Sequence, residues 1–131
     1  MMQNEDENPT PSGQLMLQAL TLPADTNPSG DIYGGWLMTK MDLAGSITAQ
    51  AIANGRVTTV AVGSMVFLRP VPVGASVGFY VDVEEVGRSS IRTLVEAWIM
   101  DPQGGEAQKI TEGEFVFVAI DGNGRTRPIN K

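Results

Sequence analysis

Between Thr26 and Asp42 the chain reads TNPSGDIYGGWLMTKMD, turn chemistry passing straight into a helix. Asn27-Pro28-Ser29-Gly30-Asp31 is dense in turn formers, so the chain is predicted to reverse there, with Asp31 or Ser29 placed to cap a helix. That helix is predicted to begin near Gly34. Leu37, Met41, Ala44, Ile47, Thr48, Ala51 and Ile52 then recur at helical spacing with no proline among them. Asn54-Gly55 ends it, Gly55 being suited to the left-handed conformation of a C-terminal cap. This is the chain's one long helix, and the rest must be arranged around it.

At about 100° per residue, Asp42 falls beside the apolar stripe of this helix rather than opposite it. Its neighbours on that flank, Gly35, Gly45, Ser46 and Ala49, are all small, which leaves room for a groove or a partner subunit near the carboxylate. Gly34 and Gly35 lie in the first turn, where N–H groups lack intrahelical acceptors and the helix dipole favours negative charge. Such groups can hold an oxyanion. A lone helical aspartate is more commonly solvated or ion-paired, and paired glycines can simply allow close packing, so the spacing alone leaves both readings open.

Outward from the helix the pattern changes to strands. Leu15 to Leu22 reads as a strand ending at Pro23. Val57 to Leu68, VTTVAVGSMVFL, is rich in β-branched residues and is predicted as one long strand with a bulge at Gly63. Val77, Phe79, Val81 and Val83 alternate with Gly78, Tyr80, Asp82 and Glu84, and Ile91, Thr93, Val95, Ala97 and Ile99 repeat that period after a turn at Gly87-Arg88. A last strand spans Gln108 to Ile120. Strand, helix, then four strands with short turns predicts an antiparallel sheet curling over one helix whose outer face a second copy could cover. Residues 1–13 read as a disordered tail, 14–121 as a single domain and 122–131 as a short basic tail.

Bulk properties narrow the chemistry. At 131 residues the chain can bury a core without staples. It has no histidine, which removes the usual general base of serine and cysteine hydrolases and the commonest zinc ligand, and no metal site is expected. It has no cysteine, so disulfides and thiolate chemistry are absent. A net charge of −6 argues against broad nucleic-acid or anionic-membrane binding. No apolar run suggests a membrane span or a signal peptide, so a cytoplasmic protein is expected. Catalysis, if any, rests on carboxylates, lysine or backbone groups.

The ordered combination TNPSGDIYGGW, MD, GR, TV, FLRPV and GRSSI, spread between Leu15 and Pro128, resembles the YciA-type acyl-CoA thioesterases. The resemblance implies an α+β hotdog fold, a long central helix wrapped by a curved five-stranded antiparallel sheet, paired into dimers and assembled as a hexamer, a trimer of dimers. It implies hydrolysis of acyl-CoA to a free acid and coenzyme A, with no cofactor beyond the coenzyme A of the substrate. It further implies that Asp42 is the catalytic acid and that Gly35 supplies an oxyanion N–H. Asn27 and Thr59 become further active-site positions, contributed from opposite subunits. Gly87, Arg88, Ser89 and Ser90 match a segment near coenzyme A, and Gly34, Arg56 and Arg69 are further binding candidates, with Arg125 and Arg127 weaker ones. Where relatives often carry histidine and glutamate, this chain has Asn54 and Gly63. Whether Asp42 activates water or attacks directly stays open at this point. A non-catalytic acyl-CoA sensor on the same fold is the alternative; a hydratase or dehydratase would ordinarily use a histidine.

Overall fold

The structure, a computed structural model, describes residues 10–129. Strand β1 (Gln14–Leu20) leads through a short 3-10 turn (Pro23–Asp25) to helix α1 (Gly34–Ala53), followed by β2 (Val57–Val62), β3 (Ser76–Val86), β4 (Ser90–Met100) and β5 (Gln108–Ala119). Among the described residues the five strands form one antiparallel sheet in the order β1-β3-β4-β5-β2. The helix lies across one face of it and touches all five strands.

The core is the layer between helix and sheet. Trp36, Leu37, Met41, Ala44, Gly45, Ala49 and Ala53 are the buried helix residues. They meet Phe79 and Val81 on β3, Ile91 and Val95 on β4, and Phe115 and Phe117 on β5. Trp36 and Phe79 pack as tilted rings with centroids 6.3 Å apart. The predicted helical stripe is therefore only partly the buried one. Ile47 is 38% exposed and Ala51 is also exposed, because the sheet-facing line runs through the small residues Gly45 and Ala49 instead.

Small residues there are a packing requirement. A Cβ on Gly45 would lie 2.9 Å from the Phe117 ring. The flank beside Asp42, expected from its small residues to be open to a groove or partner, is at Gly45 and Ala49 filled by the sheet.

Both helix ends differ from expectation. The residue preceding the helix is Tyr33, and neither Ser29 nor Asp31 caps it with a side chain. Asn27 Oδ1 instead accepts the N–H groups of Ser29 (2.9 Å) and Asp31 (3.1 Å), so the polar cluster closes its own turn rather than the helix. At the other end it is Asn54, not Gly55, that takes the left-handed conformation (φ 54, ψ 48). Asparagine tolerates that region as glycine does. Arg127 Nη2 then donates to Ala53 O at 2.9 Å, placing a cation on the negative end of the helix.

The long strand read from Val57 to Leu68 stops at Val62. Its register shift falls between Thr59 and Ala61, not at Gly63. Residues 63–69 stay alongside β5 through Gly63 N–H to Glu114 O (2.8 Å), Leu68 N–H to Ile110 O (2.7 Å) and Thr111 Oγ1 to Val66 O (2.9 Å), too sparse for a ladder. The first strand ends at Leu20 rather than Leu22, since the chain already turns at Pro23.

The predicted tails change too. Residues 1–9 of the expected disordered tail lie outside the described residues. Ser12, within that expected tail, donates its N–H to Glu96 Oε1 at 3.0 Å. The expected basic tail folds back as part of the domain. Thr126 bridges Ile120, Ile129 is buried, and Ile129 N–H donates to Arg88 O at 2.8 Å. Burial of Ile129 and the anchoring of Arg127 supply what the basic composition alone did not indicate.

Candidate active site

Asp42 stands two turns into the helix, half-buried at the border between its sheet-facing side and its open side. Thr59 reaches it from β2, donating Oγ1–H to Asp42 Oδ1 at 2.6 Å. The local register explains the meeting. Thr59 is paired with Phe117, whose ring occupies the space over Gly45, so the threonine lies next to the helix turn that carries Asp42. Among the described residues no other side chain bonds to Asp42, which leaves Oδ2 free of protein partners.

The start of the helix borders a separate cleft of about 360 Å³. Asn27, Asp31 and Arg69 supply its polar rim, and Ile32, Leu37 and Phe67 are prominent in its apolar wall, with Gly34 between them. Among the first-turn donors, Trp36 N–H is already engaged with Tyr33 O at 3.1 Å. Gly34 and Gly35 precede it, where the helix offers no acceptor. The Gly35 backbone is exposed, and a Cβ there would merely touch the Tyr33 ring at 3.4 Å.

The remaining candidates gather at the far end of β5. Gly87 N–H donates to Ser90 O (2.8 Å), closing the β3–β4 hairpin, and Ser89 O accepts Ala119 N–H (2.8 Å). Arg56 lies beside them, its guanidinium donating to Asp121 O (3.2 Å) and Gly122 O (3.4 Å). Arg69 is elsewhere, at the cleft, with Nε on Lys109 O at 2.9 Å. Arg88 carries an exposed guanidinium without a protein partner among the described residues. One chain therefore joins Asp42 with Thr59, Asn27 with Gly34 and Arg69, and Arg56 with Gly87, Arg88, Ser89 and Ser90, as three separate groups.

Sequence reasoning missed the apolar wall. Ile32, Leu37 and Phe67 gave no chemical signal, and Phe67 sat inside a run read as strand. Among the described residues no three acidic side chains converge to hold a metal ion, and no helix is long and apolar enough to cross a membrane.

Residues 29–106 match the model of the thioesterase superfamily. The acyl-CoA thioester hydrolase YciA of Salmonella typhimurium is 47% identical over 123 residues, covering 92% of each chain. Among solved structures, an aspartate-to-alanine mutant of a hexameric broad-specificity acyl-coenzyme A thioesterase superposes with a TM-score of 0.87 at 47% identity, covering 92% of this chain and 88% of that one. A hexameric hotdog-fold thioesterase of Campylobacter jejuni superposes with a TM-score of 0.82 at 35% identity, covering 90% and 91%. With its helix laid across a five-stranded antiparallel sheet, the chain belongs to the hotdog-fold thioesterase superfamily, among the acyl-CoA thioester hydrolases of the YciA type.

Proposed function

We propose that the protein hydrolyses acyl-CoA thioesters to a carboxylic acid and coenzyme A, with Asp42 as the reacting carboxylate and the Gly35 N–H as an oxyanion donor. The observation that carries this reading is the 2.6 Å hydrogen bond from Thr59 to Asp42. It ties down one carboxylate oxygen and leaves the other available. Oδ2 then either removes a proton from water as it attacks the thioester carbon, or attacks that carbon itself to give an anhydride that water cleaves. In both routes negative charge develops on the carbonyl oxygen, which backbone N–H groups at a helix start stabilise without reorganisation. The thiolate of coenzyme A leaves and takes up a proton.

In this reading two copies complete one site. Gly35 and Asp42 of one chain are about 10 Å apart along the helix axis, at 1.5 Å per residue. A carbonyl carbon and its oxygen are separated by only about 1.2 Å. The carboxylate and the N–H that serve one thioester therefore come from different subunits, with Asn27 and Gly34 lining the half-site that receives the partner's acid. A dimer is the smallest active unit, and a trimer of dimers is the hexamer we propose by analogy with the relatives. In this reading Arg88, with Ser89 and Ser90 on the turn that Gly87 closes, meets the phosphates or pantetheine arm, and Arg56 and Arg69 add positive charge on an acidic protein. A cytoplasmic location suits this substrate.

The test mixes purified protein with a set of acyl-CoAs and a thiol-detecting reagent. Asp42→Asn and Asp42→Ala are expected to keep the fold and coenzyme A binding while losing turnover by a factor of about 10² or more. Unchanged hydrolysis in either variant refutes the role of Asp42.

A further inference from the structure

One aromatic ring, Phe67, lines the cleft beside the helix start. A Cβ built on Gly34 would lie 3.3 Å from Phe67 Cζ and 3.5 Å from Cε2, so the ring stands on the glycine's own surface, over the first helical turn. Any side chain at residue 34 would have to share that space with Phe67. The ring is nevertheless not locked in the core, being 42% exposed. It belongs to residues 63–69, which have left the sheet ladder, and the bonds that hold this segment to β5 run through Gly63, Val66, Leu68 and the Arg69 side chain rather than through Phe67. Phe67 is thus a large apolar wall on a sparsely tethered segment, next to the N–H groups proposed to receive the thioester oxygen.

The chemistry of the cleft decides which part of the substrate the ring meets. The pantetheine arm carries amides that need hydrogen-bonding partners, which the cleft offers only at its rim, from Asn27, Asp31 and Arg69, whereas the side chains of Ile32, Leu37, Phe67 and Val71 give its wall apolar surface. The alkyl chain of the acyl group is the part that gains from such a wall. We propose that Phe67 is a specificity-determining residue that sets the largest acyl group accepted, by closing the cleft over Gly34 next to the thioester carbonyl. The inference rests on the thioesterase reading above and adds to it the residue that measures the acyl chain.

The experiment records kcat/KM for the wild-type protein, Phe67→Ala and Phe67→Leu over a series of saturated acyl-CoAs from short to long. Phe67→Ala is expected to raise kcat/KM about tenfold or more for chains beyond the wild-type optimum, and to lower it for the shortest, since one methylene in an apolar pocket discriminates by about 10- to 200-fold. Phe67→Leu is expected to shift the profile the same way by less. Gly34→Ala should reduce hydrolysis in the wild-type background and reduce it less in Phe67→Ala, where the added methyl has room. If the profile keeps its shape in both Phe67 variants, every chain length changing by one factor, Phe67 is only a packing residue and the inference falls while the thioesterase reading stands. If wild-type protein releases coenzyme A from no member of the series, that reading fails and takes this one with it.

Discussion

A methyl group on Gly45 would collide with a ring that cannot retreat. Its Cβ would sit 2.9 Å from Phe117, which is fully buried, and 3.4 Å from Val95 Cγ2. Alanine is favoured over glycine inside a helix by about 1 kcal/mol, but overpacking of a tight core costs about 1–3 kcal/mol. Gly45→Ala is therefore expected to lower the melting temperature by several degrees, whereas Gly35→Ala, which meets only the Tyr33 ring at contact distance, is expected to leave it unchanged or raised. Thermal unfolding followed by circular dichroism checks both. Thr59 poses the complementary question in activity. A hydrogen bond to a charged group is worth about 1.5–3 kcal/mol, so Thr59→Ala is expected to lower kcat by about 10- to 100-fold, and Thr59→Ser, which keeps the hydroxyl, to restore most of it. Equal activity in the alanine and serine variants would show the bond to be idle. The resemblance named Asp42 and Thr59 separately. That they touch was not legible, because the contact depends on β2 lying beside β5 and on Phe117 filling the space over Gly45, neither of which has a local signature.

Elements were legible in kind and imprecise at their ends, for reasons particular to each. Helix α1 was marked by uninterrupted spacing and by the turn chemistry before Gly34. Its C-terminal cap was misassigned because Asn54 and Gly55 both tolerate a left-handed backbone. Strand β2 was read too long, since β-branched and apolar composition continues to Leu68 while the ladder stops at Val62. Composition reports what fits a pleated surface, and only tertiary placement reports where pairing ends. The anchoring of the helix by Arg127 comes from 74 residues away and has no sequence signal at all. Arg127 also donates Nε–H to Ile120 O at 3.1 Å, so it ties the C-terminal segment to the helix end. Arg127→Ala is expected to cost about 1–2 kcal/mol of stability, from the lost charge at the helix terminus and the hydrogen bonds that go with it, with hydrolysis per folded molecule unchanged. Urea titration beside a turnover assay separates the two.

At the scale of the whole molecule, both faces of the sheet have to be accounted for. On the side away from the helix, Glu96 is buried and accepts Trp98 Nε1–H at 2.8 Å as well as the Ser12 N–H, with Lys109 Nζ 3.6 Å away. Burial pulls the Lys109 pKa down, but its hydrogen bond to Glu112 and the charge of Glu96 outweigh that, and the net shift is upward. A raised lysine contributes stability fully below its ordinary value and loses it as pH rises through the raised one. Lys109→Met is expected to be less stable than wild type by about 0.5–1 kcal/mol at neutral pH, a figure discounted because the lysine is partly exposed. The gap should close in strongly alkaline solution, and melting curves across that range would read it.

The sheet's open edge makes a stronger demand. Strand β2 is an outer strand, and Val60 (55% exposed), Val62 (41%), Val66 (72%) and Leu68 (58%) run along it and its extension. An unpaired edge with β-branched and leucine side chains in water is a template for another chain, and natural proteins cover such edges or charge them. Nothing charged interrupts residues 57–68 here. The same edge carries Thr59, and so lies next to Asp42, while in the proposed reaction the separation of about 10 Å between Gly35 and Asp42 within one helix has a second copy complete the site. Covering the edge and completing the site are then one requirement. Val60→Lys and Val62→Lys, each placing a cation on that edge, are expected to yield a folded protein of smaller assembly size by light scattering, with hydrolysis lost in proportion to the dissociated fraction and recovered at high protein concentration. A protomer that separates cleanly and still turns over at the full rate would show that one copy suffices, and would put the reacting carboxylate and its oxyanion donor back on a single chain.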